Sequence, residues 1–153
     1  MQLTDVMSTN LIAVSPETRI GEAARKMVDS DVGAAIVLAP GDKLVGVITE
    51  RDLMRCVSEG TEPNTPVSDR MTRHVLTAAP TTELAEAMAL MVDGHFRHLP
   101  VVNEEGNVIG LASMRDLMAY TSLRLRHGSM GSDDDLDPAE VIATIHRMRT
   151  GAA

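Results

Sequence analysis

The sequence predicts a mixed α/β fold in which one strand–helix–strand–strand–helix unit is written twice. Three observations predict it. GVITERDLM at 46–54 returns as GLASMRDLM at 110–118, an offset of 64 residues. That offset holds without insertion or deletion over 52 positions, and 15 of the pairs are identical, where composition alone would give roughly 3 or 4. Within each copy the apolar pattern also changes period in the same order, from a short run to a helical stripe to two strands to a second helix. A unit of about 55 residues is marginal by itself, so the two copies are expected to pack face to face.

Each copy opens with an apolar run, at 11–14 and at 75–78. A proline turn follows, SPET at 15–18 and APTT at 79–82, with Thr18 and Thr82 placed to cap the next helix. Ile20, Ala23, Ala24, Met27 and Val28 then recur at helical spacing, and Leu84, Ala87, Met88, Met91 and Val92 repeat the stripe. Glu22, Glu83 and Glu86 fall in the first turns, where the helix dipole favours anions. Strands at 34–38 and 44–49 flank APGDK, and strands at 98–102 and 108–113 flank NEEGN. Connections of this length containing Gly suit hairpins. The strands are almost continuously apolar, which means that both faces are covered.

The second helices start at Glu50 and Met114, the latter able to run on through Tyr120 to His127. EGTEPNTP at 59–66 has the composition of a linker. The divisions are therefore 1–60, 61–127 and a tail, 128–153. In the tail, GSMGSDDD at 128–135 reads as a flexible acidic link. Asp137, Pro138 and Glu140 then suit the start of an amphipathic helix over 138–149, with Val141, Ile142, Ile145 and Met148 on its apolar stripe.

Composition sets the outer limits. Hydrophobic residues make up 44% of the 153, enough for a core, yet Phe96 and Tyr120 are the only aromatics. Aliphatic side chains and the 11 methionines must fill it. A net charge of −8 argues against nucleic acid and against an anionic membrane surface. It leaves room for an anionic ligand wherever the few cations cluster. Cys56, the single cysteine, excludes an intrachain disulfide and a cysteine zinc site, and its helical setting reads as packing. MQLTDVMSTN has no apolar signal-peptide core and no apolar run reaches membrane-spanning length, so a cytoplasmic setting is expected.

The chemistry concentrates where each copy closes, in Gly-h-h-(Thr/Ser)-x-x-Asp, where h is apolar. Thr49 with Asp52, and Ser113 with Asp116, stand three residues apart at a strand-to-helix junction, at the N-cap and N3 positions. A helix N-terminus there can hold phosphate while the Asp accepts from a ribose diol. The same spacing makes a capping box, and the two roles can coexist. Arg97 and His98 form a basic pair ahead of Leu99-Pro100-Val101. Arg51 and Arg115 sit in the first turn of each second helix, where the dipole disfavours a cation by roughly a few tenths of a kcal/mol; an anion nearby would offset this. No Walker loop, G-x-G-x-x-G or G-x-S-x-G is present. The histidines lack metal-site spacing and the acidic run at 133–135 lacks a calcium-loop pattern, so no catalytic or metal-ligating residue is nominated.

Two tandem copies ending in this motif resemble a pair of CBS domains. The resemblance covers about residues 1–126 and rests on GVITERD (46–52), GLASMRD (110–116), VSPET (14–18), AAPTT (78–82) and FRHLPVV (96–102). It implies copies packed about a pseudo-twofold axis, and pairing with a second chain into a flat, disc-like homodimer. It implies regulatory binding of an adenine nucleotide or adenosyl ligand (AMP, ADP or ATP class) in the cleft between copies. No cofactor or catalysis is required, and the output passes to a separate, unidentified protein. It assigns Asp52 and Asp116 to ribose, Thr49 and Ser113 to ribose or phosphate, and Arg97 or His98 to phosphate, with Arg115 nearby. Val14, Ala78, Ile36 and Leu99 are candidate aliphatic walls for the base. The alternative is a ligand-independent interaction or dimerisation scaffold. One departure stands out: the equivalents of Arg97-His98-Leu99-Pro100 in the first copy are Gly33-Ala34-Ala35-Ile36. The clefts are therefore expected to be unequal, with the better phosphate site around Arg97 and His98. The residues leave open whether that pair serves the cleft of Asp52, that of Asp116, or the border between them.

Overall fold

The first copy folds in the order that its changes of period predict, and the second does so except for its leading strand at 75–78, which is reduced to a single bridge. The first contributes β1 (Ala13–Val14), α1 (Ile20–Asp29), β2 (Ala34–Ala39), β3 (Lys43–Thr49) and α2 (Glu50–Ser58). The second contributes α3 (Leu84–Asp93), β4 (His98–Val102), β5 (Val108–Ser113) and α4 (Met114–His127). Short 3-10 turns at Leu3–Asp5 and Val67–Asp69 precede the two copies. The computed structural model describes residues 1–127 together with residue 143. The acidic link at 128–135 and, but for that one position, the helix expected over 138–149 lie outside the described residues.

The sheets show how closely the copies correspond. β1 runs parallel to β2 through Ala13–Ile36 and Val14–Val37, whereas the second copy keeps a single parallel bridge there, Ala78 to Val101. β2 with β3 and β4 with β5 form antiparallel hairpins, and each slips register at the same place, Val37/Leu38 and Val101/Val102. The first hairpin is tighter than expected. Its strands reach Ala39 and Lys43, leaving Pro40, Gly41 and Asp42 to turn, with Gly41 at φ 80° and Asp42 at φ 58°.

Ile20, Ala23 and Met27 of α1 are buried, as are Leu84, Ala87 and Met91 of α3. Val28 and Val92, the last members of each expected stripe, instead face outward at 78% and 60% exposure. By that position a helix has turned the side chain roughly 80° away from the first stripe residue. Thr18 and Thr82 do not cap these helices. The N-cap residues are Arg19 and Glu83, and neither makes a side-chain cap bond. Thr18 Oγ1 instead accepts the Ser15 N–H at 3.0 Å inside the SPET turn.

The two copies exchange their leading segments. Leu3 N–H donates to the Thr82 carbonyl at 2.9 Å, and Thr4 N–H to that of Pro80 at 3.0 Å. The matching bonds run from Val67 to Thr18 at 2.8 Å and from Ser68 to Pro16 at 3.0 Å. Ser8 and Leu111 trade bonds in both directions at 2.9 Å, and Thr72 and Val47 do the same at 2.9 and 3.1 Å. Side chains follow the backbone. Leu3 and Val6 join the core of Leu99, Val101, Leu117 and Tyr120, while Val67 and Met71 join that of Met27, Val37 and Ile48. Each core is closed by residues of the other copy, which removes the need for either to stand alone. The motif glycines make room for this. A methyl group at Gly46 would collide with Met71 Sδ and lie 2.9 Å from its Cγ, and one at Gly110 would collide with Met7 Sδ and lie 2.8 Å from its Cγ.

Candidate functional site

The junction between β3 and α2 is held by a complete capping box. Thr49 N–H donates to Asp52 Oδ2 at 2.9 Å, Thr49 Oγ1 donates to the same oxygen at 2.8 Å, and Asp52 N–H returns to Thr49 Oγ1 at 3.3 Å. At the junction between β5 and α4, Asp116 N–H donates to Ser113 Oγ at 3.2 Å. The first N–H of each helix is engaged as well, Glu50 with the Gly33 carbonyl at 3.0 Å and Met114 with that of Arg97 at 2.9 Å. Two leading N–H groups of each helix are therefore already bonded. Attraction for an anion falls to the side chains around them.

Two clefts, related by the repeat offset, lie between the copies. The first has a volume of about 380 Å³. Its walls are Val47 and Thr49 to Arg55 of the first copy, against Thr72, His74 to Leu76 and Gly94 to His98 of the second, with Leu53 and Met54 not among the lining residues. The second cleft, about 470 Å³, sets Leu111 and Ser113 to Asp116 against Ser8, Asn10 to Ile12, Asp31 to Ala34 and Ile36. Both volumes suit a small molecule. Thr49 and Asp52 line the first, and Ser113, Arg115 and Asp116 the second. Arg97 and His98 line both, together with Gly33 and Glu50, so this group forms the wall between the clefts. Val14 and Ala78 lie in the core at 5% and 7% exposure and line neither cleft. Leu99 is likewise buried away from both, while Ile36 lines the second.

The wall explains the departure of the first copy. A methyl group at Gly33 would sit 3.1 Å from His98 Nε2 and 3.2 Å from the Glu50 carboxyl carbon. The side chain missing at Gly33 is the space into which His98 and Glu50 project. Burial is the main cause holding the His98 pKa below its ordinary 6.5; Glu50 opposes this, Arg97 adds to it and Asp116 opposes it.

The clefts differ in charge. Where the first presents His74 and His95, the offset places Asn10 and Asp31 in the second. His95 and Asp31 follow α3 and α1 with left-handed backbones, φ 55° and 51°, and His74 has φ 53°. Glycine is the usual residue just past a helix end, but Asp and His tolerate the conformation better than most. Metal-ligand spacing does not single out His74 and His95. Comparison of the copies marks them, His74 against Asn10 and His95 against Asp31, but it marks other positions as well, Arg19 against Glu83 among them.

Two α/β copies that swap leading segments and enclose a matched pair of clefts are the architecture of a tandem CBS-domain pair. The chain belongs to the CBS domain family, whose profile matches residues 3–59 and 67–122. It is 36% identical over 114 residues to the CBS domain-containing protein YhcV of Bacillus subtilis, a match spanning 74% of this chain and 80% of that protein. Its fold matches a CBS-domain-containing protein of Agrobacterium tumefaciens with TM-score 0.72 and 29% identity, over 77% of this chain and 97% of the other. It also matches CBSX2 in complex with AMP, with TM-score 0.70 and 27% identity, over 82% and 98%. Among the described residues no helix is long and apolar enough to cross a membrane, and no group of His, Cys, Asp and Glu is arranged to hold a metal ion.

Proposed function

We propose that this chain is a cytoplasmic regulatory module that binds an adenine nucleotide between its two copies and signals to a separate protein, without catalysing a reaction itself. One observation carries the reading: His74, His95 and Arg97 of the second copy converge on the Thr49–Asp52 junction of the first. The Arg97 guanidinium and the imidazole N–H groups suit a phosphate, and the carboxylate suits a ribose. The capping bonds use Asp52 Oδ2, while Oδ1 has Arg55 Nη1 at 4.0 Å. Oδ1 is the oxygen to accept a ribose hydroxyl, so capping and ligand binding coexist. Val47, Val75, Leu76 and Phe96 supply an apolar wall for the base. The likeness to CBSX2 in complex with AMP supports the ligand class.

A ligand touching both copies stabilises whichever packing of the two it fits best, and so alters the surface offered to the partner. The proposal includes a homodimer. Val28 with Val92, and Met54 with Met118, are pairs related by the repeat offset, and all four are at least 60% exposed. Matched apolar patches of this kind suit a second copy of the chain.

The test is calorimetric titration of the whole chain with AMP, ADP and ATP. Binding is expected, and Asp52→Asn and Arg97→Ala should each weaken it at least about tenfold, the scale of one charge-assisted contact. Absence of any binding at millimolar nucleotide would overturn the reading. The complete capping box favours a second reading, a ligand-independent scaffold, because it gives Thr49 and Asp52 a structural duty with no ligand present. The same titration separates the two.

A further inference from the structure

We infer that the two clefts sort adenosyl compounds by charge: the Asp52 cleft takes the phosphorylated one, and the Asp116 cleft takes one with no phosphate, neutral or cationic. The inference rests on the nucleotide-binding reading above and specifies it.

The clefts share Glu50, Arg97 and His98 in their common wall, so these cannot discriminate. The charged and titratable residues that each holds alone do differ. The first has Arg51, Asp52, Arg55, His74 and His95, and the second has Asp31, Arg115 and Asp116. The change is concentrated at two corresponding positions, with His74 answered by Asn10 and His95 by Asp31. A phosphate dianion in the second cleft would meet an added carboxylate where the first supplies an imidazole. Like-charge juxtaposition of this kind rejects a ligand more effectively than a missing contact does.

The second cleft is nevertheless built for a small molecule. It is the larger, and Leu11, Ile12, Val32, Ile36 and Leu53 give it an apolar wall beside its polar groups. An adenosyl group with an uncharged or positive substituent satisfies both the apolar wall and the acidic balance. A phosphate satisfies only the other cleft.

The backbone supplies a clean exchange for testing this. Asp31 and His95 occupy the same left-handed conformation, φ 51° and 55°, so each side chain can replace the other without new strain. Whole-chain protein is titrated with AMP, with S-adenosylmethionine as the cationic probe, and with 5′-methylthioadenosine as the neutral one, singly and in pairs. Thermal melts confirm that the variants fold. The wild type should bind AMP and at least one phosphate-free probe together, without displacement. His95→Asp should weaken AMP about tenfold or more and leave the phosphate-free probe within about twofold, and Asp31→His should do the reverse at the second cleft. Displacement of one ligand by the other, failure of both phosphate-free probes to bind, or the same response of both ligands to one substitution overturns the division and leaves the nucleotide reading standing. Failure of AMP to bind the wild type overturns both.

Discussion

His98 sits in the wall between two clefts, and its burial favours the neutral ring. Its folded-state pKa lies below the ordinary 6.5, so as pH falls the unfolded chain takes up the proton first. The stability it contributes is therefore fully present above 6.5, is lost as pH drops from there towards the lowered folded value, and falls no further below that. His98→Gln should remove this part of the pH dependence. Urea unfolding of both proteins between about pH 7.5 and about pH 5.5 checks it: the wild-type advantage over the variant should shrink on acidification. A constant difference across the range would show that burial does not hold the ring neutral. Arg97 beside it, His74 and His95 are exposed, which suits them to meet a ligand rather than the core.

At the scale of elements, what holds the copies together is the passage of each leading segment into the other's core. The glycines of the repeated motif exist at the crossing points. Gly46→Ala places a methyl group against Met71 and the Thr72 carbonyl, and overpacking of this kind costs about 1–3 kcal/mol. The penalty should fall in part in a Met71→Ala background, where the Met71 side chain is gone and only the Thr72 carbonyl still meets the methyl group. A double-mutant cycle by chemical denaturation reads the coupling, and additive effects would mean that the two residues do not meet. The elements themselves were unevenly legible. The starts of α2 and α4 follow from their caps, because a capping bond spans three residues and is written in the local sequence. The starts of α1 and α3 were displaced by one residue. Thr18 looks like a cap, but its side chain is taken by Ser15 and its carbonyl by Val67, a partner 49 residues away that local spacing does not reveal.

At the scale of the whole molecule, the exposed apolar pairs Val28/Val92 and Met54/Met118 make the dimer testable. Light scattering on the wild type should give the mass of two chains, and Met54→Glu combined with Met118→Glu should give one, since a charge buried without a partner is strongly unfavourable at an interface. A monomeric wild type, or a variant that remains dimeric, would assign those patches to something else. The candidate site was legible only in part. The motif residues Thr49, Asp52, Ser113 and Asp116 lie at two clefts, as do Arg97, His98 and Arg115. Val14 and Ala78 were expected as aliphatic walls for the base, but their pairing with Val37 and Val101 turns them into the core.

The sequence by itself determined the duplicated unit, the order of its elements, the two capped junctions and the inequality between the copies. Each of these is recorded in periodicity, in bonds spanning a few residues, or in a direct comparison of one copy with the other. Only the tertiary structure decided that the leading segments change places, that Arg97 and His98 stand in a wall common to both clefts, and that His74 and His95 line the Asp52 cleft while Asp31 lines the other. The reason is distance along the chain. Those features depend on contacts between residues far apart in sequence, where the pseudo-twofold packing of two similar surfaces, and not any local pattern, selects which side chains face one another.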